Sequence, residues 1–183
     1  MDDDIFISVD CETSGPYPGR HALLSVGAAV VRRLDGAWRV GADYYDEWAP
    51  PPDAGEDPAA TRVHGLDLVK LRAHGTRPAE AARSFAAWVA SAGRGRRVFA
   101  GYNAGFDWAF VLHAFGASHV TSPFHHVPLD LKAAIWGLHG GPWHGGSNLD
   151  ALTRVLGKPL PERPGARPHH ALDDALAQAD VLV

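Results

Sequence analysis

Five side chains in this sequence are of the types that bind hard cations and move protons: Asp10, Glu12, Asp107, Asp174 and His169. They occur in three short stretches, Val9-Asp10-Cys11-Glu12-Thr13, Asn103-Ala104-Gly105-Phe106-Asp107-Trp108-Ala109-Phe110 and His169-His170-Ala171-Leu172-Asp173-Asp174-Ala175. Each acid adjoins an apolar segment expected to be buried, and a buried carboxylate without a partner costs roughly several kcal/mol or gives up its charge. Metal ions are the natural partners. Oxygen-only ligation suits Mg2+ or Mn2+, and two such ions about 4 Å apart are suited to cleaving phosphate esters.

The spacing within each stretch sets what the local structure must do. In a strand, residues two apart point to the same face, so Asp10 and Glu12 project together with α-carbons about 6.5 Å apart, and Cys11 between them turns away. Asp107 falls at the start of a helix that Phe106 and Phe110, spaced i and i+4, anchor on a sheet. An acid in a first turn also relieves the helix dipole, and Asn103 suits an N-cap or a turn, so both have a structural reading beside the chemical one. His169 and Asp174 are five apart, a rotation of about 140 degrees on an ideal helix, and could not face one point if both were helical. Pro168 favours a break before His169, leaving the histidine on a loop, where it could serve as a general base, and Asp174 in the helix. His170, His125, His126, His139 and His144 read as solvent-exposed or structural. Asp173 competes with Asp174, and the buried stripe of Leu172, Ala175, Leu176 and Ala179 does not choose between them.

The elements that carry these residues follow from periodicity. Ile5 to Val9 reads as a central strand ending at Asp10, and Ala22 to Val31 as a second. A turn at Leu34-Asp35-Gly36-Ala37 leads into Trp38 to Trp48, completing an antiparallel meander. Past the Pro50 to Pro58 crossing come a short helix at Ala59 to Val63 and an amphipathic helix over Pro78 to Ala92. The latter's apolar set is Ala81, Ala82, Phe85, Trp88 and Val89. Val98 to Tyr102 is a buried strand, Phe106 to Phe115 a helix, and Val127 to Leu131 a last short strand. Helices follow at Lys132 to Leu138, at Asn148 to Leu156 with Gly157 as terminator, and from Ala171 to the C-terminus. Strands first and βα units after imply an α/β domain with a mixed sheet.

At 183 residues the chain is expected to form one domain with a real core, and its composition, 46% hydrophobic and 21% charged, is that of a soluble protein. No stretch reads as a signal peptide or membrane span, so the expected location is cytoplasmic with no membrane partner. The single cysteine, Cys11, excludes an intrachain disulfide and a cysteine-based zinc site. A net charge of -4 argues against gripping long nucleic acid by a broad basic face. It does not exclude nucleic acid, since cations held by grouped acids make the local field less negative. Arg94, Arg96 and Arg97 could meet phosphate, although a solvated turn is the simpler reading.

Taken in order, the three stretches resemble the three exonuclease motifs of the DEDDh 3′-5′ exonuclease superfamily, and the resemblance extends over nearly the whole chain. Ser8-Val9-Asp10-Cys11-Glu12-Thr13-Ser14-Gly15 resembles the first motif, Asn103 to Phe110 the second and His169 to Ala175 the third. In the third, a histidine, four residues and an aspartate select His169 and Asp174 over His170 and Asp173. Val63-His64-Gly65-Leu66 is similar to the segment near the substrate's terminal nucleotides, and Ser147-Asn148-Leu149-Asp150-Ala151-Leu152 to the helix before the third motif. Tyr102 departs from the pattern, standing where many members carry a histidine.

The resemblance implies a ribonuclease-H-like α/β fold, a mixed five-stranded sheet flanked by helices, as one exonuclease domain over residues 1–183. It implies metal-dependent hydrolysis from the 3′ end of single-stranded DNA or RNA, releasing nucleoside 5′-monophosphates. Two Mg2+ or Mn2+ ions would be held by Asp10, Glu12, Asp107 and Asp174, with His169 as general base. Thr13, His64, Asn103 and Phe106 are candidates for contacting the terminal nucleotides, and Phe106 equally suits a core position. The competing readings are a short-oligoribonucleotide hydrolase or an endonuclease with the same metal site, and an inactive nucleic-acid-binding module.

Overall fold

A computed structural model of the chain describes residues 4–140, 143, 157 and 161–183. Five strands, β1 (Ile5–Thr13), β2 (Leu23–Leu34), β3 (Ala37–Glu47), β4 (Arg97–Gly101) and β5 (Leu129–Asp130), form one sheet in the order β3-β2-β1-β4-β5. The first three are antiparallel neighbours, whereas β1, β4 and β5 run parallel. This is the mixed five-stranded sheet expected from the sequence. The β2–β3 turn is tight because Asp35 and Gly36 both take positive φ, 51° and 81°, as an Asp-Gly hairpin turn requires.

Six described helices flank the sheet: α1 (Pro58–His64), α2 (Leu68–His74), α3 (Pro78–Ser91), α4 (Ala104–Ala117), α5 (Leu131–His139) and α6 (Ala171–Val181). The α2 helix was not expected. It is a short helix of about two turns, started by Asp67, whose carboxylate accepts from the Val69 and Lys70 amides, and seated by buried Leu68 and Leu71. The helix expected at 148–156, the segment 147–152 and His144 lie outside the described residues.

Alternation along β1 divides the molecule. Ile5, Ile7, Val9 and Cys11 enter a core with Phe85 and Val89 of α3 and Phe110, Val111 and Phe115 of α4. Phe85 is fully buried against Phe115, Phe124 and Tyr44, with ring centroids 5.2–6.1 Å apart. Burying such a ring contributes roughly 2–3 kcal/mol, so this face can carry stability and leave the other to charged groups. On that other face Ser8 and Asp10 meet α6: the Ser8 hydroxyl donates to the Ala175 carbonyl at 2.8 Å, and Gln178 reaches Asp10.

The buried stripe of α6 differs from the expected one. Ala171, Ala175, Gln178, Ala179 and Asp180 are buried, while Leu172 and Leu176 are only half-buried. Small residues form the contact because the helix start lies almost on the backbone of β2. A Cβ at Gly27 would sit 2.1 Å from the Ala171 carbonyl carbon. Asp180 is buried but paired, taking a bidentate bond from Arg163 at 2.8 Å for both contacts, which fastens the segment before α6 to the helix itself.

Candidate active site

The acids of the first motif lie inside β1, which runs on to Thr13 and does not end at Asp10 as expected. Pairing with β4 stops at Ser8, so the β1 edge beyond it has no strand beside it. Asp107, in the first turn of α4, fills that position: its Oδ1 accepts from the Cys11 backbone N–H at 3.0 Å. Asp107 is thereby fixed at only 5% exposure. The cysteine between the two acids thus turns its side chain into the core, while its amide holds a third acid. Burial and the surrounding carboxylates raise the Cys11 thiol well above its usual value, so it is not a reactive thiolate.

Carboxylate oxygens of Asp10, Glu12 and Asp174 all lie within 4.8 Å of one another. Asp10 and Glu12 arrive on one strand face, and Asp174 from the first turn of α6, brought in by the close approach over Gly27. Asp107 stands next to this trio, close enough to act electrostatically on Asp10 and Glu12, but is not one of the three converging groups.

Such crowding is visible in proton affinity. Burial is the largest cause in each case, and the neighbouring carboxylates add to it for Asp10 and Glu12. Asp10 is raised well above the usual carboxylate range by burial, then Asp107, Asp174 and Glu12. Glu12 is raised to about 8 by burial, then Asp174 and Asp107. Asp107 is also raised by burial, against the pull of the Cys11 amide. Asp174 is raised by burial, with His169 pulling the other way. Without a counter-charge this cluster retains protons near neutrality. A set of oxygen donors this close together fits a hard divalent cation, which would replace those protons.

His169 lies outside α6, which begins at Ala171 with His170 at its cap position, as the five-residue spacing requires. It takes a left-handed backbone, φ 58°, and its side chain is exposed. With Glu12 and His64 it lines a cleft of about 200 Å³, bounded by β2, β3 and the segment before α6. Its neighbours in the third motif are occupied elsewhere. His170 stacks on Tyr45 with centroids 4.5 Å apart, and Asp173 accepts from the Arg167 amide at 3.0 Å. The structure therefore separates Asp174 from Asp173 on geometry: one faces Asp10 and Glu12, the other holds Arg167.

The four candidate substrate residues fare differently. The His64 Nδ1 accepts from the Leu66 N–H at 2.9 Å, which leaves the ring proton on Nε2, and the ring lines the cleft. Burial lowers its pKa, opposed by the Thr13 backbone. Thr13 is buried and its hydroxyl donates to the Gly15 carbonyl at 2.9 Å. Asn103 occupies the α4 cap position in a left-handed conformation, φ 65°, but makes no side-chain cap bond and is exposed. Phe106 is half-buried against Phe110, with centroids 5.1 Å apart. Arg96 is engaged by Asp4 at 2.7 Å in the exposed turn, whereas Arg97 is not in the turn but opens β4, half-buried, and bonds the Gly95 carbonyl at 2.9 Å. Sequence reasoning did not single out Gln178, whose side-chain amide donates to Asp10 at 2.7 Å. The available signal was a polar residue on the apolar stripe of a helix.

A mixed sheet with acids converging from a strand and one helix, and a fourth acid beside them on a second helix, fits the class of metal-assisted hydrolases, and the likeness to known proteins is more specific. The exonuclease family model RNase T matches residues 7–182, and the chain belongs to this exonuclease family, within the DEDDh superfamily. It is similar to the 3′-5′ DNA exonuclease Cap18 of Escherichia coli, with 34% identity over 99% of this chain and 91% of that protein. Its fold matches Escherichia coli Exonuclease I bound to a dT13 oligonucleotide, with a TM-score of 0.72 and 20% identity over 98% of this chain. The zinc-bound form of that enzyme with single-stranded DNA gives a TM-score of 0.74 and 22% identity, again over 98% of this chain. This chain spans 40% of the length of Exonuclease I. Among the described residues, no helix is long and apolar enough to cross a membrane.

Proposed function

We propose that the protein hydrolyses a DNA strand from its 3′ end, releasing nucleoside 5′-monophosphates, with two Mg2+ or Mn2+ ions as cofactors. The observation that carries the reading is the convergence of Asp10, Glu12 and Asp174 within 4.8 Å, with Asp107 anchored beside them. The Cap18 likeness supports polarity and DNA as substrate, and the likeness to DNA-bound Exonuclease I is of fold.

Asp10, Glu12 and Asp174 would hold one ion, and Asp10 and Asp107 the second. Bound there, the ions supply positive charge that offsets the phosphate's negative charge in the in-line displacement. His169, exposed and lining the same cleft as Glu12, accepts the proton of the attacking water. His64, Thr13, Asn103 and Phe106 surround the end of β1 and the start of α4. Of these, His64 is the residue best placed to meet the terminal nucleotide, because its ring lines the cleft with Glu12 and His169.

The test is degradation of 5′-labelled single-stranded DNA and a matched RNA, with Mg2+, with Mn2+ and with EDTA. Stepwise shortening of the DNA that stops in EDTA is expected. Shortening that continues unchanged in EDTA, or cuts at internal positions only, refutes the proposal.

A further inference from the structure

We infer that Gln178 is a positioning residue for the metal centre, holding the Asp10 carboxylate in the orientation that binds cations. The inference rests on the metal-centre reading above. Gln178 lies one helical turn beyond Asp174, on the face of α6 that packs against the sheet, and is 4% exposed. A buried amide is costly unless both ends are bonded. Both are: Nε2 donates to Asp10 Oδ1 at 2.7 Å, and Oε1 accepts from the Tyr102 backbone N–H at 3.0 Å.

The two bonds fix the side chain without ambiguity. A backbone N–H can only donate, so the amide oxygen must face Tyr102, and the NH2 group must then face Asp10. The donor bond occupies one direction on Asp10 Oδ1 and stops the carboxylate from turning about its own axis. The rest of the carboxylate is left to ligate. One side chain thereby joins all three motifs, since it sits on the helix of the third, bonds the aspartate of the first, and grips the loop that opens the second. Tyr102 immediately precedes Asn103 and the helix carrying Asp107. Any displacement of that loop is carried to Asp10 through a single rigid amide.

A purely structural role is separable from this one. The Ser8 hydroxyl also bonds β1 to α6, at Ala175, and does so without touching a proposed ligand. The experiment compares wild type, Gln178→Met and Ser8→Ala by Mn2+ calorimetry, by thermal unfolding without metal, and by the Mg2+ concentration giving half-maximal DNA degradation. Outer residues that orient metal ligands are worth about 10- to 100-fold in affinity. Gln178→Met should weaken Mn2+ binding by about that factor and raise the Mg2+ requirement in parallel, whereas Ser8→Ala should lower thermal stability with Mn2+ affinity unchanged. Gln178→Asn, one methylene too short to span both partners, should behave as Gln178→Met does and serves if the latter does not fold. Mn2+ affinity within twofold of wild type in either Gln178 variant, or an equal loss in Ser8→Ala, overturns the inference while the metal centre stands. Wild-type binding that is absent, or unaffected by Asp10→Asn, overturns the metal-centre reading and the inference with it.

Discussion

Glu12 offers the sharpest test of the idea that the cluster is built for a cation. In the metal-free fold its proton affinity moves from an ordinary 4.5 to about 8, first through burial and then through Asp174 and Asp107. At about 1.4 kcal/mol per pH unit, ionising Glu12 in the folded chain costs roughly 5 kcal/mol more than in the unfolded one. A raised folded value means that the folded state binds more protons than the unfolded state between pH 4.5 and 8. The contribution of Glu12 to stability is therefore complete below pH 4.5 and is lost as pH rises through 8. Glu12→Gln removes this titration at nearly constant shape. Urea unfolding in EDTA should find the variant and wild type close at pH 5, and the variant more stable by a few kcal/mol at pH 8.5. At roughly 2–4 °C per kcal/mol for a chain of this size, that difference is also readable as a melting shift. Saturating Mn2+ at pH 8.5 should reverse the order, because only wild type keeps the full ligand set. A stability difference that stays constant from pH 5 to 8.5 in EDTA refutes the argument.

Gly27→Ala would force a Cβ to within 2.2 Å of the Ala171 carbonyl oxygen and the Leu172 nitrogen. We expect α6 to shift, stability to fall by about 1–3 kcal/mol and exonuclease activity to drop steeply, measured by urea unfolding and the degradation assay. Full activity would show that the close approach does not set Asp174. His169→Ala should lower kcat by at least about 100-fold while leaving Mn2+ affinity intact, as calorimetry would show, because the histidine is proposed as a base and not a ligand.

The parts legible in the sequence are those where one periodicity dominates. Alternation placed Asp10 and Glu12 on one face and Cys11 on the other, and the helical spacing of Ala81, Ala82, Phe85 and Val89 matched the buried face of α3. Pro168 and the five-residue interval put His169 outside its helix. Other features depend on partners far away in sequence. β1 continues through two acids because it stays paired with β2 as far as Thr13, and on its open edge Asp107, almost a hundred residues on, occupies the Cys11 amide. Leu172 and Leu176 looked like core, yet Ala171, Ala175 and Ala179 are the fully buried ones and Leu176 packs only half-buried at the edge of the contact, since only knowledge that Gly27 lies opposite reveals how close the helix comes. Asn103 fits the composition of a cap and makes none, because its left-handed backbone serves the turn itself.

The same long-range arrangement explains why the site forms where it does. β4 pairs with β1 only as far as Ser8 and then turns into α4, so the last residues of β1 stand beyond its parallel neighbour with an open edge. From the apolar side of the sheet α4 delivers Asp107 to that edge, and from the opposite side α6 delivers Asp174 to the face bearing Asp10 and Glu12. Neither helix alone could supply both. Ligands of open α/β sheets bind beyond the carboxyl ends of the strands, where loops on the two sides part. Here the parting is set by strand length: β1 extends five residues past its last pairing with β4, and its two acids lie on that extension.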